Sequence, residues 1–269
     1  MFNFCSLYSG SSGNSLFVES DNTKLLIDTG ESAKKIIEAL ENINVNISDI
    51  NAILVTHEHL DHVKGLGTIS KKYNIPVFAN SETWNSMPVQ ENKINPINKR
   101  YFKNDEILEI NDLKIFPFSI PHDAANPCGF NISKDNTKIS IATDLGHIDE
   151  RIMGNLENSC FILLESNYED DILKCSSYPY PLKRRILGPK GHLSNTNAGD
   201  AISHLLNYGL KHVMLGHLSK ENNFPELAYK TVIEQLIKHD FDENSINLSV
   251  AKRFSNSPLL HLEKDFSCF

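Results

Sequence analysis

The feature that most constrains this sequence is the hexapeptide His-Glu-His-Leu-Asp-His at positions 57–62. It follows an apolar run, residues 52–56, which predicts a buried strand. Three imidazoles and two carboxylates so close together are unusual in a hydrophobic core. Imidazole nitrogen and carboxylate oxygen are, however, the ligands that zinc and similar divalent ions accept. The hexapeptide therefore predicts a metal site that begins where a strand ends.

The spacing within the hexapeptide separates its donors into two pairs. Alternate residues of an extended segment point the same way, so His57 and His59 can bind one ion together. The chain then turns, and we expect Asp61 and His62 to face a second ion. The metalloprotease pattern His-Glu-x-x-His is excluded, because Asp61 occupies its fifth position. A solvated loop that carries several histidines by chance is the alternative.

Further metal ligands must also lie at strand ends if they are to converge on one site. Three single residues directly follow predicted strands at 113–120, 138–142 and 212–215. They are His122, Asp144 and His217. A lone histidine or aspartate beside a strand is usually a loop or capping residue, so only the combination with the hexapeptide makes these three candidate ligands.

Two features near the start of the chain each admit two interpretations. Asp28 ends an apolar strand that begins at Lys24, and it either orients a metal ligand or caps the following helix. The small, polar segment 9–15, which includes Ser11 and Asn14, can bind a phosphate through backbone N–H groups. It also fits a hairpin connection between two strands, and the residues by themselves favour the hairpin.

Strand and helix patterns alternate along the chain. Helical periodicity predicts a helix at 63–73 that Gly65 and Gly67 interrupt, helices at 195–208 and 225–238, and a short helix at 81–87 capped by Ser81. Residues 88–104 appear irregular in pattern, and the tail has no predicted role. No repeat, low-complexity tract or linker divides the sequence, so we predict one domain, residues 1–269, in which helices cover the outer faces of sheets.

The net charge, the cysteine pattern and the distribution of apolar residues limit the classes of function and the cellular locations that fit this sequence. The net charge of −8 provides no global field to attract nucleic acid, so such binding needs a local basic patch. The cysteines are odd in number, scattered and without a C-x-x-C pair, which predicts reduced thiols. They are Cys5, Cys128, Cys160, Cys175 and Cys268. We expect neither a secretory signal nor a transmembrane helix, hence a cytoplasmic protein with no membrane partner. The sequence does not determine the oligomeric state.

The candidate ligands, taken in chain order with Asp28, resemble the motif series of the metallo-β-lactamase superfamily. The resemblance implies an α/β (α+β) fold, a four-layer αββα sandwich of two mostly mixed sheets flanked by helices, with the site at one edge of the sheets. It implies that one ion is held by His57, His59 and His122. It implies that the other is held by Asp61, His62 and His217, with Asp144 between the two.

Segments 6–14, 122–130 and 215–223 are similar to the bacterial YycJ/WalJ family, whose members are regarded as metal-dependent nucleases that act on DNA from the 5′ end. The chain has neither the cap domain of β-CASP nucleases nor the long arm of ribonuclease Z. The resemblance implies a dinuclear phosphodiesterase, in particular a DNA exonuclease acting from the 5′ end. It implies two divalent ions, Zn²⁺ or Mn²⁺ with iron as a further candidate, and a nucleic-acid substrate, with DNA favoured over RNA.

Two metal ions can activate a water and stabilise charge on a phosphoryl group, and Asp61 is the candidate to orient or deprotonate that water. His192 lies just before a predicted helix N-terminus, where N–H dipoles favour an anion. Since ribonuclease Z-like enzymes have a similar histidine loop, we assign His192 to proton donation or transition-state stabilisation, the alternative being an exposed residue beside a capped helix. Arg184 and Arg185, in the most basic run, either contact a phosphate backbone or form a solvated helix face.

Two other classes of function compete with the nuclease. A small-molecule hydrolase of a lactone, thioester or cyclic phosphodiester can use the same fold and metal site. A non-catalytic metal-binding protein would show a broken ligand set, whereas every ligand of the pattern is present here. β-Lactam hydrolysis is disfavoured by the missing export signal. An iron site that reduces oxygen is disfavoured because position 59 is a histidine and not a carboxylate.

Overall fold

Alternation along the strands divides the apolar side chains between two faces in the computed structural model, which describes residues 1–262. On β3 (Lys24–Ile27), Leu25 and Ile27 enter the core between two sheets, while Leu26 faces a layer of helices. On β11 (Phe161–Glu165), the alternate residues divide in the same manner between the central core and a second helical layer. Side chains that alternate across each strand thus produce the four predicted layers, helix, sheet, sheet and helix.

Each sheet has seven strands within residues 1–262 and mixes parallel with antiparallel pairs. The first sheet, in spatial order, contains β14 (Leu260–His261), β1 (Phe2–Tyr8), β2 (Ser15–Ser20), β3, β4 (Ala52–Leu54), β5 (Val77–Ala79) and β6 (Lys99–Tyr101). The second contains β13 (Asn247–Val250), β12 (His212–Gly216), β11, β10 (Thr137–Ala142), β9 (Cys128–Lys134), β8 (Leu113–Ser119) and β7 (Leu108–Ile110).

Helices cover the outer face of each sheet. On the chain's first half these are α1 (Ala33–Glu41), α2 (Leu60–Val63), α3 (Leu66–Tyr73), α4 (Ser81–Ser86) and α5 (Pro88–Glu91). On the second half they are α6 (Glu150–Leu156), α7 (Asp170–Cys175), α8 (Tyr180–Ile186), α9 (Asn195–Leu206) and α10 (Pro225–Lys238). None of the helices within the described residues is both long and apolar enough to cross a membrane.

The strands that precede the candidate ligands run in a common direction within each sheet. In the first sheet β3 is parallel to β4. In the second, β10, β11 and β12 are parallel neighbours, and β8 has the same direction because it and β10 are both antiparallel to β9. Parallel strands end at the same edge of a sheet, so residues that follow them meet there.

Several local predictions were wrong, and each error has a physical reason. The helix predicted at 63–73 is interrupted at Gly65 as predicted, but Gly67 lies within α3. The short helix before it, α2, begins already at Leu60, so Asp61 and His62 lie on a single helical turn. Asn80, not Ser81, caps α4, because its side chain accepts the N–H of Thr83. The irregular region contains α5 and β6, and the tail pairs with β1 as β14. These elements are too short to show periodicity.

Three of the four described cysteines are buried. Cys5, Cys128 and Cys160 are buried, and Cys175 is exposed. Cys268 lies outside the described residues. Burial raises the pKa of Cys5 to about 11, against the smaller opposing effect of hydrogen bonds from neighbouring side chains, so this thiol stays protonated.

Gly30 lies in close contact with the backbone of two neighbouring loops, at Asn14 and Asp61, so its replacement tests how tightly these loops are packed. Its N–H donates to the Asn14 carbonyl oxygen at 2.8 Å, and a Cβ atom at position 30 would lie 1.6 Å from the Asp61 carbonyl oxygen. We expect Gly30→Ala to lower the free energy of unfolding by at least about 1–3 kcal/mol, since the backbone must move. Urea denaturation measures the change.

Gly154→Ala is the matched control, because no atom lies within 4 Å of a Cβ at this position of α6. We expect it to raise the free energy of unfolding by about 0.5–1 kcal/mol, the usual gain when glycine is replaced by alanine in a helix. Equal stabilities of Gly30→Ala and the wild type would contradict the tight packing described above.

Candidate metal centre

Three histidine rings surround a common point at the edge of the sheets. The ring centroids of His57, His59 and His122 lie 4.6–5.1 Å apart, and the rings are perpendicular rather than stacked. One ligand nitrogen of each lies within 4.8 Å of the others. His57 and His122 are buried and His59 is half-buried. The structure thus brings together the three residues predicted to bind one ion, in an arrangement that suits a single tetrahedral or octahedral cation.

A second group of candidate ligands lies beside the first. Ligand atoms of Asp61, His62 and His217 also lie within 4.8 Å of one another. The Asp61 Oδ2 atom is 3.8 Å from the Nε2 atoms of both histidines. Because His62 and His217 are buried and Asp61 is only partly so, this group faces the first on one side and solvent on the other.

Asp144 lies between the two groups. Its Oδ2 atom is 3.3 Å from His62 Nε2, and its Oδ1 atom is 3.5 Å from His217 Nε2 and 3.7 Å from His122 Nε2. The carboxylate therefore faces nitrogen atoms of both groups. A carboxylate in this position can contact two cations at once, which agrees with the bridging role that the sequence resemblance implies.

The backbone turns sharply at three of the strand ends. Asp28, Asp144 and His217 have φ values of 59°, 59° and 54°, in the left-handed region. This region is unfavourable for residues other than glycine, and aspartate tolerates it better than histidine does. Strain of this kind persists only where the surroundings over-determine it, and it commonly marks functional sites. The turns direct these side chains from the strand ends into the centre.

Partners outside the two groups orient each buried histidine. Asp28 Oδ2 is 2.7 Å from His62 Nδ1, and Asp28 also accepts hydrogen bonds from the amide and hydroxyl of Thr56. His122 Nδ1 is 3.2 Å from the Gly191 carbonyl oxygen. Such contacts hold Nδ1 protonated and leave Nε2 for a cation. Of the two alternatives for Asp28, orientation of a ligand is the one its contacts support, since Ser32 caps α1.

Glu165, which the sequence analysis overlooked, holds two histidines. It is completely buried at the end of β11, and its Oε1 atom is 2.8 Å from both His192 Nδ1 and His217 Nδ1. Its Oε2 atom accepts the N–H groups of Leu145 and Leu193. A carboxylate that ends an apolar strand was the available signal, and it is the same signal that singled out Asp28.

Several buried polar atoms of the centre have no hydrogen-bond partner among the described residues. They include Nε2 of His57, Nε2 of His217 and Oδ2 of Asp144. A buried polar atom without a partner is costly, so such atoms usually bind water or an ion. All three belong to the ligand groups above, and all are atoms that ligate cations. The residues present therefore fit a pair of divalent ions.

Carboxylates control the charge of the second group. Burial would lower the pKa of His62 and of His217, because it disfavours the charged imidazolium. The carboxylates of Asp144 and Asp28 overcome that effect and raise the pKa of His62 well above its ordinary value. Asp144 and two further carboxylates raise the pKa of His217 to about 10. Without an ion, both imidazoles are therefore doubly protonated and positively charged at neutral pH.

The first group behaves in the opposite way. Burial lowers the pKa of His57 well below its ordinary value, and burial also lowers the pKa of His122. For Asp144, burial opposes ionisation, but the positive charges of His217 and His62 hold its pKa well below the usual range. His57 and His122 are thus neutral and ready to bind a cation, while the extra protons on His62 and His217 stay until an ion replaces them.

His192 lies at the entrance of the centre. Its side chain is 17% exposed, and its ring centroid is 5.2 Å from that of His122 and 5.3 Å from that of His217. Because Nδ1 faces Glu165, the Nε2 atom is the one available to a bound molecule. Ser194 caps α9 by accepting the N–H of Asn197, as predicted. His192 is therefore not an exposed flanking residue but part of the centre's wall.

The segment 9–14 connects β1 to β2, which pair as antiparallel neighbours, so it is the hairpin connection that the residues favoured. Asn14 is buried and its Nδ2 atom is 3.0 Å from His62 Nε2, whereas Ser11 is exposed. The amides of Gly10, Gly13 and Asn14 already donate to protein oxygens. This use of the amides reduces the number left to bind a phosphate.

The basic run lies on α8, whose end leads directly to His192. Arg185 donates from Nε and Nη2 to the Asp123 carboxylate at 2.5 and 3.1 Å. Asp123 Oδ1 is 3.4 Å from His122 Nε2, so Arg185 lies at the mouth of the centre. Arg184 is exposed and lies over the ring of Tyr180 at 6.0 Å.

Comparisons with known proteins agree in family and in fold. The family model of the metallo-beta-lactamase superfamily matches residues 8–217. The exodeoxyribonuclease WalJ of Streptococcus pneumoniae is 40% identical over 241 residues, which are 89% of this chain and 90% of that protein. The exodeoxyribonuclease YycJ of Bacillus anthracis is 38% identical over 238 residues, covering 88% of this chain and 90% of that protein.

A solved structure adds support for the fold alone. The crystal structure of zinc-bound PqqB from Methylobacterium extorquens aligns with a TM-score of 0.71, covering 94% of this chain and 99% of that chain. The two sequences are only 14% identical, so this likeness concerns the path of the backbone.

The charge state of the second group gives a test of the centre that needs no substrate. Since His62 and His217 carry protons at neutral pH without an ion, we expect the binding of two ions per chain to release protons. The apparent affinity should increase from acidic to neutral pH, where the competing protons leave more readily. Calorimetric titration with Zn²⁺ in buffers of different ionisation enthalpy measures the number released. Binding without proton release would contradict the assignment of these histidines as ligands.

Proposed function

Because this chain belongs to the metallo-β-lactamase superfamily, and within it to the family of the WalJ and YycJ exodeoxyribonucleases, we propose that it is a metal-dependent exodeoxyribonuclease with a dinuclear centre. The observation that carries the proposal is the convergence of all the predicted ligands at one edge of the two sheets. A centre of this kind suits phosphodiester hydrolysis, because the reaction places negative charge on both the attacking and the leaving oxygen.

We assign the ligands as two sets that share one residue. His57, His59 and His122 hold one ion, Asp61, His62 and His217 hold the other, and Asp144 lies between them. Nitrogen and carboxylate donors suit Zn²⁺, Mn²⁺ and iron alike, so the proposal specifies two divalent ions of this group. When bound, the ions supply the positive charge that activates a water and stabilises the phosphoryl oxygens.

Asp61 and His192 are the residues that we propose handle protons. Burial opposes ionisation of Asp61, but the neighbouring imidazoles of His217 and His62 lower its pKa, so its carboxylate is available to orient or deprotonate a water. His192, fixed through Nδ1 by Glu165, can donate a proton from Nε2 to the leaving oxygen. The buried carboxylate would keep that imidazole in one orientation throughout the reaction.

The DNA strand reaches the centre beside α8 in this proposal. Arg185 lies at the mouth and Arg184 is exposed on the same helix, where both can contact backbone phosphates. On the other side of the mouth, Ser11 is exposed and Asn14 touches His62, so we propose that both lie near the bound strand. The direction of digestion from the 5′ end, the preference for DNA over RNA, the one-domain organisation and the cytoplasmic location stay predictions.

Digestion of 5′-phosphorylated linear duplex DNA tests the proposed activity. We expect protein loaded with Mn²⁺ or Zn²⁺ to shorten the duplex from its 5′ ends, as followed with strand-specific end labels. The His59→Ala variant should lose the activity, since it removes a ligand without emptying the buried core. No digestion with any metal, despite two bound ions per chain, would contradict the nuclease and favour a hydrolase of lactones or thioesters.

The role of His192 is tested separately from metal binding. We expect His192→Ala to retain two ions and to lower kcat for DNA digestion by about 10²–10⁴-fold, the usual contribution of a general acid. His204→Ala is the matched control, because His204 lies exposed on α9 away from the ligands. An unchanged kcat in His192→Ala would contradict proton donation, and loss of an ion would indicate a ligand instead.

A further inference from the structure

A cavity of about 240 Å³ adjoins the metal centre on the side of His217. Its wall includes Ser9, whose Oγ atom accepts the N–H of His217 at 2.8 Å, and Leu218, the next residue along the chain. The remaining wall comes from the loop before α10, the first turn of α10 and the segment 251–254 after β13. The cavity and the metal centre therefore share the strand-end segment at His217.

Two exposed phenylalanines line the cavity. Phe224 is 48% exposed and Phe254 is 68% exposed, although both side chains are large and apolar. Isolated exposed apolar residues are ordinary, but two at one concave site indicate a surface that binds an apolar or flat ligand. Aromatic rings at such a site can stack against the face of a nucleobase.

The same cavity carries positive charge that the described residues do not neutralise fully. The half-buried guanidinium of Arg253 lies over the Phe254 ring at 5.9 Å and donates from Nη2 to the Leu218 carbonyl oxygen. Its Nη1 atom is buried and has no hydrogen-bond partner among residues 1–262, so Arg253 acts here through its charge. Lys220 is exposed, and it pairs only loosely with Glu221, at 3.9 Å between two exposed side chains. The surrounding apolar wall screens the charge of Arg253 less than water would. The cavity thus favours an anionic ligand.

We propose that this cavity binds one unpaired nucleotide of the DNA strand whose neighbouring phosphodiester lies at the metal centre. The base stacks on Phe224 and Phe254, and the phosphate faces Lys220 and Arg253. Aromatic platforms combined with cations are how proteins hold single-stranded DNA without reading its sequence. The inference rests on the proposed nuclease function and adds to it the position of the strand, which Arg184 and Arg185 alone do not determine.

Binding to metal-free protein separates this proposal from catalysis, because the strand is then not digested. We expect chelator-treated full-length protein to bind a fluorescent short oligothymidylate, as measured by anisotropy. Phe224→Ala and Phe254→Ala should each weaken binding by about 5- to 100-fold, the effect of losing one base–aromatic stack. Tyr101→Ala is the matched control, because Tyr101 is an equally exposed aromatic residue on the edge strand β6. It should bind like the wild type.

The phosphate contact has its own signature in the dependence on salt. Lys220→Ala should reduce the slope of log affinity against log salt concentration by about 0.7, the value for one phosphate contact to a single strand. Lys34→Ala, which removes an exposed lysine from α1, should leave the slope unchanged.

The outcomes distinguish the failure of this proposal from the failure of the nuclease function. If the wild type digests DNA but both phenylalanine variants bind oligothymidylate as tightly as the wild type, the strand lies elsewhere and the proposal is overturned. The nuclease function then stands. A wild type that binds no oligothymidylate also overturns the proposal, whether or not it digests duplex DNA. Failure of the digestion assay with intact binding would overturn the nuclease function alone.

Discussion

The attraction between buried carboxylates and buried histidines is the interaction on which the rest of this structure depends. Asp144 lies within 3.3–3.7 Å of nitrogens on three histidines, with almost no solvent to screen the charges. Burying charged groups is costly unless they are paired, and here each charge has an opposite neighbour. Three strand ends adopt left-handed backbone to make this possible, at a cost of about 1–3 kcal/mol each. The fold therefore stores strain at one edge and places its reactive groups there.

Glu165 links two parts of the candidate centre. One oxygen of this carboxylate holds both His217, a candidate ligand, and His192, the candidate proton donor. The other oxygen, Oε2, accepts the backbone N–H groups of Leu145 and Leu193. Because Glu165 orients both imidazoles, the distance between His192 and the candidate ligand His217 is set by the end of β11 rather than by a flexible loop. Such preorganisation is what electrostatic catalysis requires.

The residues by themselves predicted that helices cover sheets and that the hexapeptide, His122, Asp144 and His217 meet at one site, because strand ends and donor spacing are local signals. The arrangement in four layers was implied only by the resemblance to a known family. The long helices α9 and α10 were predicted within two residues, since their periodicity extends over several turns. Glu165 was missed although it ends an apolar strand as Asp28 does, because the motif series that includes Asp28 does not include it. The strands β6 and β14 were missed because two or three residues show no alternation, and only pairing with a neighbouring strand defines them. The contact between Arg185 and Asp123 joins residues distant in sequence and has no local signature.

The central claim is that one carboxylate, Asp144, lies between two cations held by separate sets of ligands. Anomalous diffraction from crystals of the metal-loaded protein, recorded at the absorption edge of the bound metal, tests it most directly. We expect two anomalous peaks, one beside His57, His59 and His122 and one beside Asp61, His62 and His217, with an oxygen of Asp144 in contact with each. A single peak, or two peaks with Asp144 turned away from either, would contradict the account.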